Sequence, residues 1–193
     1  MAGRGVGQAE TPAAAGAAEL EFERTFAAPR SLVWRAWTEP ELFASWFGPH
    51  GTSVASCQID LRPGGTIRFC HELADGARVF IRGIYREILA EERLIVAFRF
   101  VDEAGAPGRH PFFPEWPLEA TLVTTVTLAA EGGMTRVSIR QRIAPAEAAT
   151  SAAVADERRL ANQGWTETLA RLEELLASES APRPDVRPRT RDN

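Results

Sequence analysis

Leu20-Glu21-Phe22-Glu23-Arg24-Thr25-Phe26, followed by Pro29-Arg30-Ser31-Leu32-Val33-Trp34-Arg35-Ala36-Trp37-Thr38 and then Pro40-Glu41-Leu42-Phe43-Ala44-Ser45-Trp46-Phe47-Gly48-Pro49, is the stretch that decides the fold. In its first part large side chains alternate with polar ones at period two, which marks a strand with one buried face. Pro29 suits the first turn of a helix, where a missing N–H is harmless. Leu32 with Ala36 and Val33 with Trp37 are spaced to share one helical face. Thr38-Glu39-Pro40-Glu41 matches a capping box, in which a Thr side chain and a Glu three residues on satisfy orphan N–H groups, so a second short helix is expected to open there. It carries Leu42, Phe43, Trp46 and Phe47 before Gly48-Pro49 stops it.

Outward from that opening, residues 52–143 read as β structure. Pro63-Gly64-Gly65, Asp75-Gly76 and Gly132-Gly133 punctuate it with residues that tolerate the backbone of tight turns. Strands are expected near 52–61, 65–73, 77–89, 93–102, 119–130 and 134–143, an antiparallel meander that the first strand completes to seven. Arg68, Arg99, Arg136, Arg140 and Arg142 alternate with Ile67, Phe69, Val96, Phe98, Val137 and Ile139, so one face is solvated and the other buried. In 77–89, Arg82 and Arg86 put Val79, Ile81, Gly83 and Tyr85 inward unless a bulge reverses the alternation. A closing helix carries Trp165, Leu169, Leu172 and Leu176 on one stripe, which requires an apolar partner, and the sheet face supplies it. Trp165 is expected to be buried there. Upstream, 146–159 is also helix-permissive, and Asn162-Gln163-Gly164 either kinks the helix or divides it.

This order, β-α-α-β6-α, is that of an α+β helix-grip fold, a curved seven-stranded antiparallel sheet wrapped around a long C-terminal helix. The sequence resembles the START/SRPBCC (birch-pollen-allergen-like) superfamily, and within it the family named after the activator of heat-shock protein 90 ATPase. Phe26-Ala27-Ala28-Pro29-Arg30, Leu32 to Thr38, Pro40-Glu41 and Trp46-Phe47-Gly48-Pro49 carry the likeness. So do Asp60-Leu61-Arg62-Pro63-Gly64-Gly65, Gly83-Ile84-Tyr85-Arg86-Glu87-Ile88 and Gly164-Trp165, over about 20–177. The resemblance implies a cavity beneath the long helix, since relatives in the superfamily bind lipids, hormones or polyketides and a minority catalyse aromatisation or cyclisation. The eukaryotic co-chaperone has a further N-terminal domain that this chain is too short to contain, which argues against chaperone-ATPase activation.

Composition sets the outer bounds. The chain has 193 residues, 45% of them apolar and 25% charged, as one globular domain would. Residues 1–18 and 179–193 are too poor in large apolar groups to offset their ordering entropy, so they read as disordered tails around a domain at 19–178. No apolar run reaches the ~20 residues of a membrane helix, and no secretory pattern opens the chain. A cytoplasmic location follows as the expectation. With a net charge of −4, nucleic acid is not an expected partner. All basic residues are arginine, which removes Schiff-base chemistry. Cys57 and Cys70 lack metal-site spacing and read as reduced structural thiols.

His50, His71 and His110 have no partners at metal-ligand spacing, so no metal and no cofactor is expected. His71 alone falls inward, beside Phe69 and Ile67. Arg24, Tyr85, Thr124 and Gln141 also interrupt apolar strand faces; buried polar groups either close a network among themselves or serve a ligand. The expected ligand contacts are Phe69, His71, Ile81, Tyr85, Phe98, Trp116, Thr124, Gln141, Trp165 and Leu169. The aromatic, proline-rich segment 103–118 is expected to cover one end of the cavity as a lid, with a homodimer contact as its competing role. No phosphate loop and no Gly-x-Ser-x-Gly elbow occurs, and no catalytic residue is assigned. Binding of an apolar or aromatic small molecule is the leading reading. A protein-interaction or chaperone-contact module, and a cyclase using Tyr85, His71 or Arg24, are the alternatives.

Overall fold

The computed structural model describes residues 19–109, 116–144 and 152–180, the side chains of 152–158 excepted. Strand β1 (Leu20–Phe26) leads into helices α1 (Arg30–Thr38) and α2 (Pro40–Trp46). Strands β2 (Ser53–Ile59), β3 (Thr66–Glu72), β4 (Arg78–Leu89), β5 (Arg93–Val101), β6 (Thr121–Glu131) and β7 (Met134–Ala144) follow, and helix α3 (Ala152–Ser180) ends the order. The sheet runs β1-β7-β6-β5-β4-β3-β2, antiparallel throughout. This is the expected α+β helix-grip fold.

The alternation in the strands places the core on the face toward the helices. Ile67, Phe69, Tyr85, Leu94, Val96, Val126, Val137 and Ile139 are buried there beside Leu169, Leu172 and Leu176 of α3. In β4 the inward set Ile81, Gly83 and Tyr85 holds as far as Tyr85. A bulge then makes Arg86 the extra residue, because Tyr85 faces Val96 while Glu87 faces Ile95. One inserted residue inverts the side-chain parity, so Ile88 packs on the core and Arg86 is exposed. At the other turns, Gly132 and Gly133 both have positive φ (57° and 88°), the backbone that a two-residue hairpin needs.

The capping box does not form. Glu39, which precedes Pro40, is extended (φ −92°, ψ 123°) and becomes the N-cap of α2 without a side-chain capping bond, its carboxylate accepting instead from Arg35. Proline disfavours the helical region for the residue before it. Thr38 therefore stays the last residue of α1 and donates its hydroxyl to Trp34 O at 2.8 Å. Pro29 likewise sits at the cap of α1 rather than inside its first turn. Trp46 Nε1 donates to Ala36 O at 2.9 Å and ties the two helices together. Helix α3 is continuous through Asn162-Gln163-Gly164, so it is not divided, and it extends past the expected domain end to Ser180. The tail segments 1–18 and 181–193 lie outside the described residues, as does the stretch 145–151.

Candidate functional site

Between the sheet and α3 lies a pocket of about 180 Å³, partly open to solvent. Three cross-strand rows form its floor. The first pairs Phe69, Ile81 and Phe100; the second runs from Gly83 through Phe98 to Leu122; the third sets Thr124 opposite Gln141. Period-two geometry presents all of these to the same face. Phe47, Gly48 and Pro49 close one side from the segment after α2, while Ala161, Gly164, Trp165 and Thr168 close the top from α3.

Gly83 is what allows the middle row to close. A Cβ there would lie 2.6 Å from Val96 Cγ1 and 2.7 Å from both Ile67 Cγ2 and Phe98 Cε1. The aromatic ring of Phe98 therefore leans into the space a side chain would take.

The polar groups on the floor satisfy one another. Gln141 Nε2 donates to Thr124 Oγ1 at 3.0 Å, and Trp165 Nε1 reaches Gln141 Oε1 at 3.5 Å. Thr168 Oγ1 turns back to Gly164 O at 2.6 Å. A ligand in this pocket meets aromatic faces and a closed amide–hydroxyl pair; Arg99, half-buried on β5, is the one charged residue in the lining.

His71 forms the side wall next to Phe47, with ring centroids 5.8 Å apart and planes at 28°, and stands edge-on to Phe69 at 5.2 Å. Its Nδ1 is buried without a hydrogen-bond partner. Gly48 (φ 116°) abuts the ring: a Cβ there would come within 2.6 Å of His71 Cε1. Burial, and secondarily the positive charge of Arg171, lowers the imidazole pKa to about 4. His71 is therefore neutral at neutral pH, which fits an apolar wall better than a proton donor.

Arg171 was not visible as a site residue in the sequence. Its Nη1 donates to the carbonyls of Gly48 (3.0 Å), Thr52 (3.2 Å) and Pro49 (3.4 Å), and its Nη2 to Ser45 O (3.3 Å). Glu167 adds an acceptor for His50 N at 3.1 Å. Together they fasten α3 to the chain between α2 and β2, which positions the Phe47–Pro49 wall. A guanidinium bound to backbone carbonyls leaves no partner-residue signal in a sequence.

Seven of the ten expected contacts line the pocket: Phe69, His71, Ile81, Phe98, Thr124, Gln141 and Trp165. Three do not. Tyr85 is 2% exposed and borders a crevice of about 20 Å³ below the pocket, shared with Trp37, Phe43 and Ile67. A space of that size admits about one water molecule and no larger ligand. Its burial raises the phenol pKa. Leu169 is a turn further along α3, buried in the core. Trp116 packs with Ala120 and Ile143 in a separate small cluster, with Leu122 between that cluster and the pocket. Residues 110–115 of the expected lid, Phe112 and Phe113 among them, lie outside the described residues.

Trp165 is half-buried rather than enclosed. One side meets Trp37 at 6.2 Å and Phe22 at 5.9 Å, and the pocket takes part of the remainder. Arg24 faces α3 as expected but forms an ion pair with Glu173 at 2.5 Å at the surface. Arg24, Tyr85 and His71 thus share no cavity. Cys57 and Cys70 are free, and burial pushes the Cys57 thiol up to about 11, which leaves it an unreactive thiol.

A family model described as "Activator of Hsp90 ATPase homolog 1-like protein" matches residues 27–177, which include every wall of this pocket. The chain belongs to that family. Solved structures of similar chains come from several bacteria. Protein NE0264 of Nitrosomonas europaea is 28% identical, with a TM-score of 0.67, covering 85% of this chain and 97% of that one. A protein from Rhizobium leguminosarum is also 28% identical, with a TM-score of 0.60 and coverage of 83% and 95%. Protein CV1439 of Chromobacterium violaceum is 25% identical, with a TM-score of 0.63 and coverage of 82% and 96%. No curated protein matches the chain at a significant level. The family assignment thus agrees with the helix-grip architecture. Among the described residues no helix is long and apolar enough to cross a membrane.

Proposed function

We propose that this protein binds a small, neutral aromatic molecule in the pocket between the sheet and α3, holding it without transforming it. The observation that carries this reading is the pocket itself: about 180 Å³, walled by Phe47, Phe69, Phe98, Phe100 and Trp165, with its floor amide and hydroxyl already paired. A dry apolar cavity of ~150 Å³ accepts one benzene ring, so this one suits one ring or two fused rings. Mostly apolar walls with few polar groups are the usual character of small-molecule sites. A charged ligand would have to shed its hydration without a buried counter-charge to replace it.

Titration with indole and 2-naphthol, followed by amide and side-chain NMR, tests the reading. Chemical-shift changes at Phe98, Thr124, Gln141 and Trp165 are the expected result. Saturation of neither probe at millimolar concentration, or shifts confined to other surfaces, would overturn it. Decanoate serves as the comparison, because a long flexible anion fits neither the volume nor the apolar walls.

A further inference from the structure

The outer face of the sheet carries a row of like charges. Arg68 stands directly opposite Arg82, and Arg82 directly opposite Arg99, across β3, β4 and β5. Like charges facing each other across strands destabilise a sheet. Elsewhere on this face three arginines are matched with acids, Glu72 opposite Arg78, Glu21 opposite Arg140 and Glu23 beside Arg136, while Arg142 stands alone among the described residues, away from the row on β7. Among the described residues no carboxylate pairs with Arg68, Arg82, Arg86 or Arg99. The bulge in β4 adds Arg86 to the same area. Arg82, Arg86 and Arg99 surround a hollow of about 120 Å³ floored by Ile84 and Ala97 and bounded by Thr121. The chain as a whole carries a net charge of −4, against which this row is a local excess of positive charge.

We propose that this outer hollow is a binding site for a small molecule carrying two or more phosphate groups. Guanidiniums reaching one hollow from different strands suit a tetrahedral anion, whose oxygens point in several directions. A carboxylate, by contrast, is satisfied by one planar, bidentate arginine. The next arginine along the row, Arg68, turns its guanidinium to Gly105 in the loop after β5 and lines a separate hollow with Glu103, so the phosphates are held by the three guanidiniums of Arg82, Arg86 and Arg99. The Ile84–Ala97 floor accepts an apolar part of the same molecule. The hollow opens on the opposite face of the sheet from the aromatic pocket, with Arg99 bordering both.

Inorganic tripolyphosphate is the probe, titrated by calorimetry into the full chain at about 20 mM salt, where screening is weak. We expect one-to-one binding that weakens at least ~10-fold in Arg82→Gln, the loss of about one charge-assisted contact, and that disappears in the Arg82→Gln/Arg99→Gln double variant. Arg140→Gln and Arg136→Gln make the same charge change on the same face at arginines already paired, and should leave affinity nearly unchanged. No binding by the wild type overturns the proposal. So does an equal loss in the Arg136 and Arg140 controls, which would mean a response to net charge only. Citrate binding as tightly as tripolyphosphate overturns the phosphate assignment. Without ligand, Arg82→Gln should melt no lower than wild type, because it relieves repulsion; a lower melting point would make the row structural and overturn the proposal. Should Arg82→Gln fail to fold, Arg99→Gln alone gives the same reading. Gly164→Leu, which fills the aromatic pocket, should leave tripolyphosphate affinity unchanged.

Discussion

Replacing Gly164 tests the pocket at a point where filling it should not damage the fold. Gly164 is inside α3 and lines the pocket, and a Cβ built on it meets no heavy atom within 4 Å. Glycine in a helix interior costs ~0.8–1 kcal/mol relative to alanine, and leucine is nearly as favourable as alanine. An isobutyl group entering the aromatic pocket adds part of the ~1.5–3 kcal/mol that full burial of a leucine is worth. Gly164→Leu should therefore stabilise the protein by about 2 kcal/mol in sum. For a chain of this length that raises Tm by roughly 4–8 °C. The same side chain occupies the space where a ring would sit, so 2-naphthol affinity should fall at least ~10-fold, which is ~1.4 kcal/mol. Gly164→Ala should show the helix gain alone, about 1 kcal/mol, with a smaller effect on binding. Differential scanning calorimetry and fluorescence titration on the two variants make the measurement. A folded, stabilised Gly164→Leu that still binds 2-naphthol with unchanged affinity would refute ligand placement in this pocket. A lowered Tm would refute the open space beside Gly164.

Three further outcomes follow from the same geometry. His71 titrates near 4 in the folded protein and near ~6.5 unfolded, so below pH ~6.5 the unfolded chain takes up a proton that the folded one refuses. Its contribution is fully present above that pH and is lost as pH falls toward 4, up to about 3 kcal/mol. Denaturation of His71→Phe, which keeps an aromatic ring and removes the orphan Nδ1, should show a flatter stability curve between pH 7 and 4; identical curves would refute the burial argument. Arg171→Met removes the donor to four backbone carbonyls and should cost about 2 kcal/mol in urea denaturation. It should also raise the His71 pKa by NMR titration, and an unmoved pKa would contradict the proximity. Gly83→Ala pushes a methyl into Val96, Ile67 and Phe98 and should cost ~1–3 kcal/mol by overpacking, whereas a neutral result would mean the middle row is loosely packed.

The order of elements was legible in the amino-acid sequence because its signals are local. Period-two alternation marked most of the strands, Gly-containing turns at 63–65, 75–76 and 132–133 separated several of them, and the stripe at Trp165, Leu169, Leu172 and Leu176 marked a helix needing a partner; the turn between β4 and β5 has no glycine and uses Glu91 at positive φ instead. The inward strand positions Phe69, His71, Ile81, Phe98, Thr124 and Gln141 followed from the same parity, since a pleated strand leaves only two choices of face. Local rules failed where two of them competed. At Thr38 a capping pattern and a proline restriction met, and the proline prevailed because steric exclusion at Glu39 leaves no helical conformation for a Thr38 cap to precede.

What the tertiary structure alone decided is which inward residues reach the pocket and what surrounds them. Tyr85 and Leu169 point inward yet lie in the core below and beside it, because the roll of α3 and its distance from the sheet set where packing ends and space begins. Gly164, Ala161 and Thr168 became walls through that same roll, although nothing distinguishes them in a linear reading. Arg171 found its acceptors on backbone carbonyls more than a hundred residues away, and carbonyls carry no residue identity to read. The sequence by itself determined the seven strands, the gripping helix and the wet and dry faces. Only the folded chain determined the size of the pocket, the neutrality of His71 and the row of unmatched arginines, since each depends on distances between segments that no local pattern encodes.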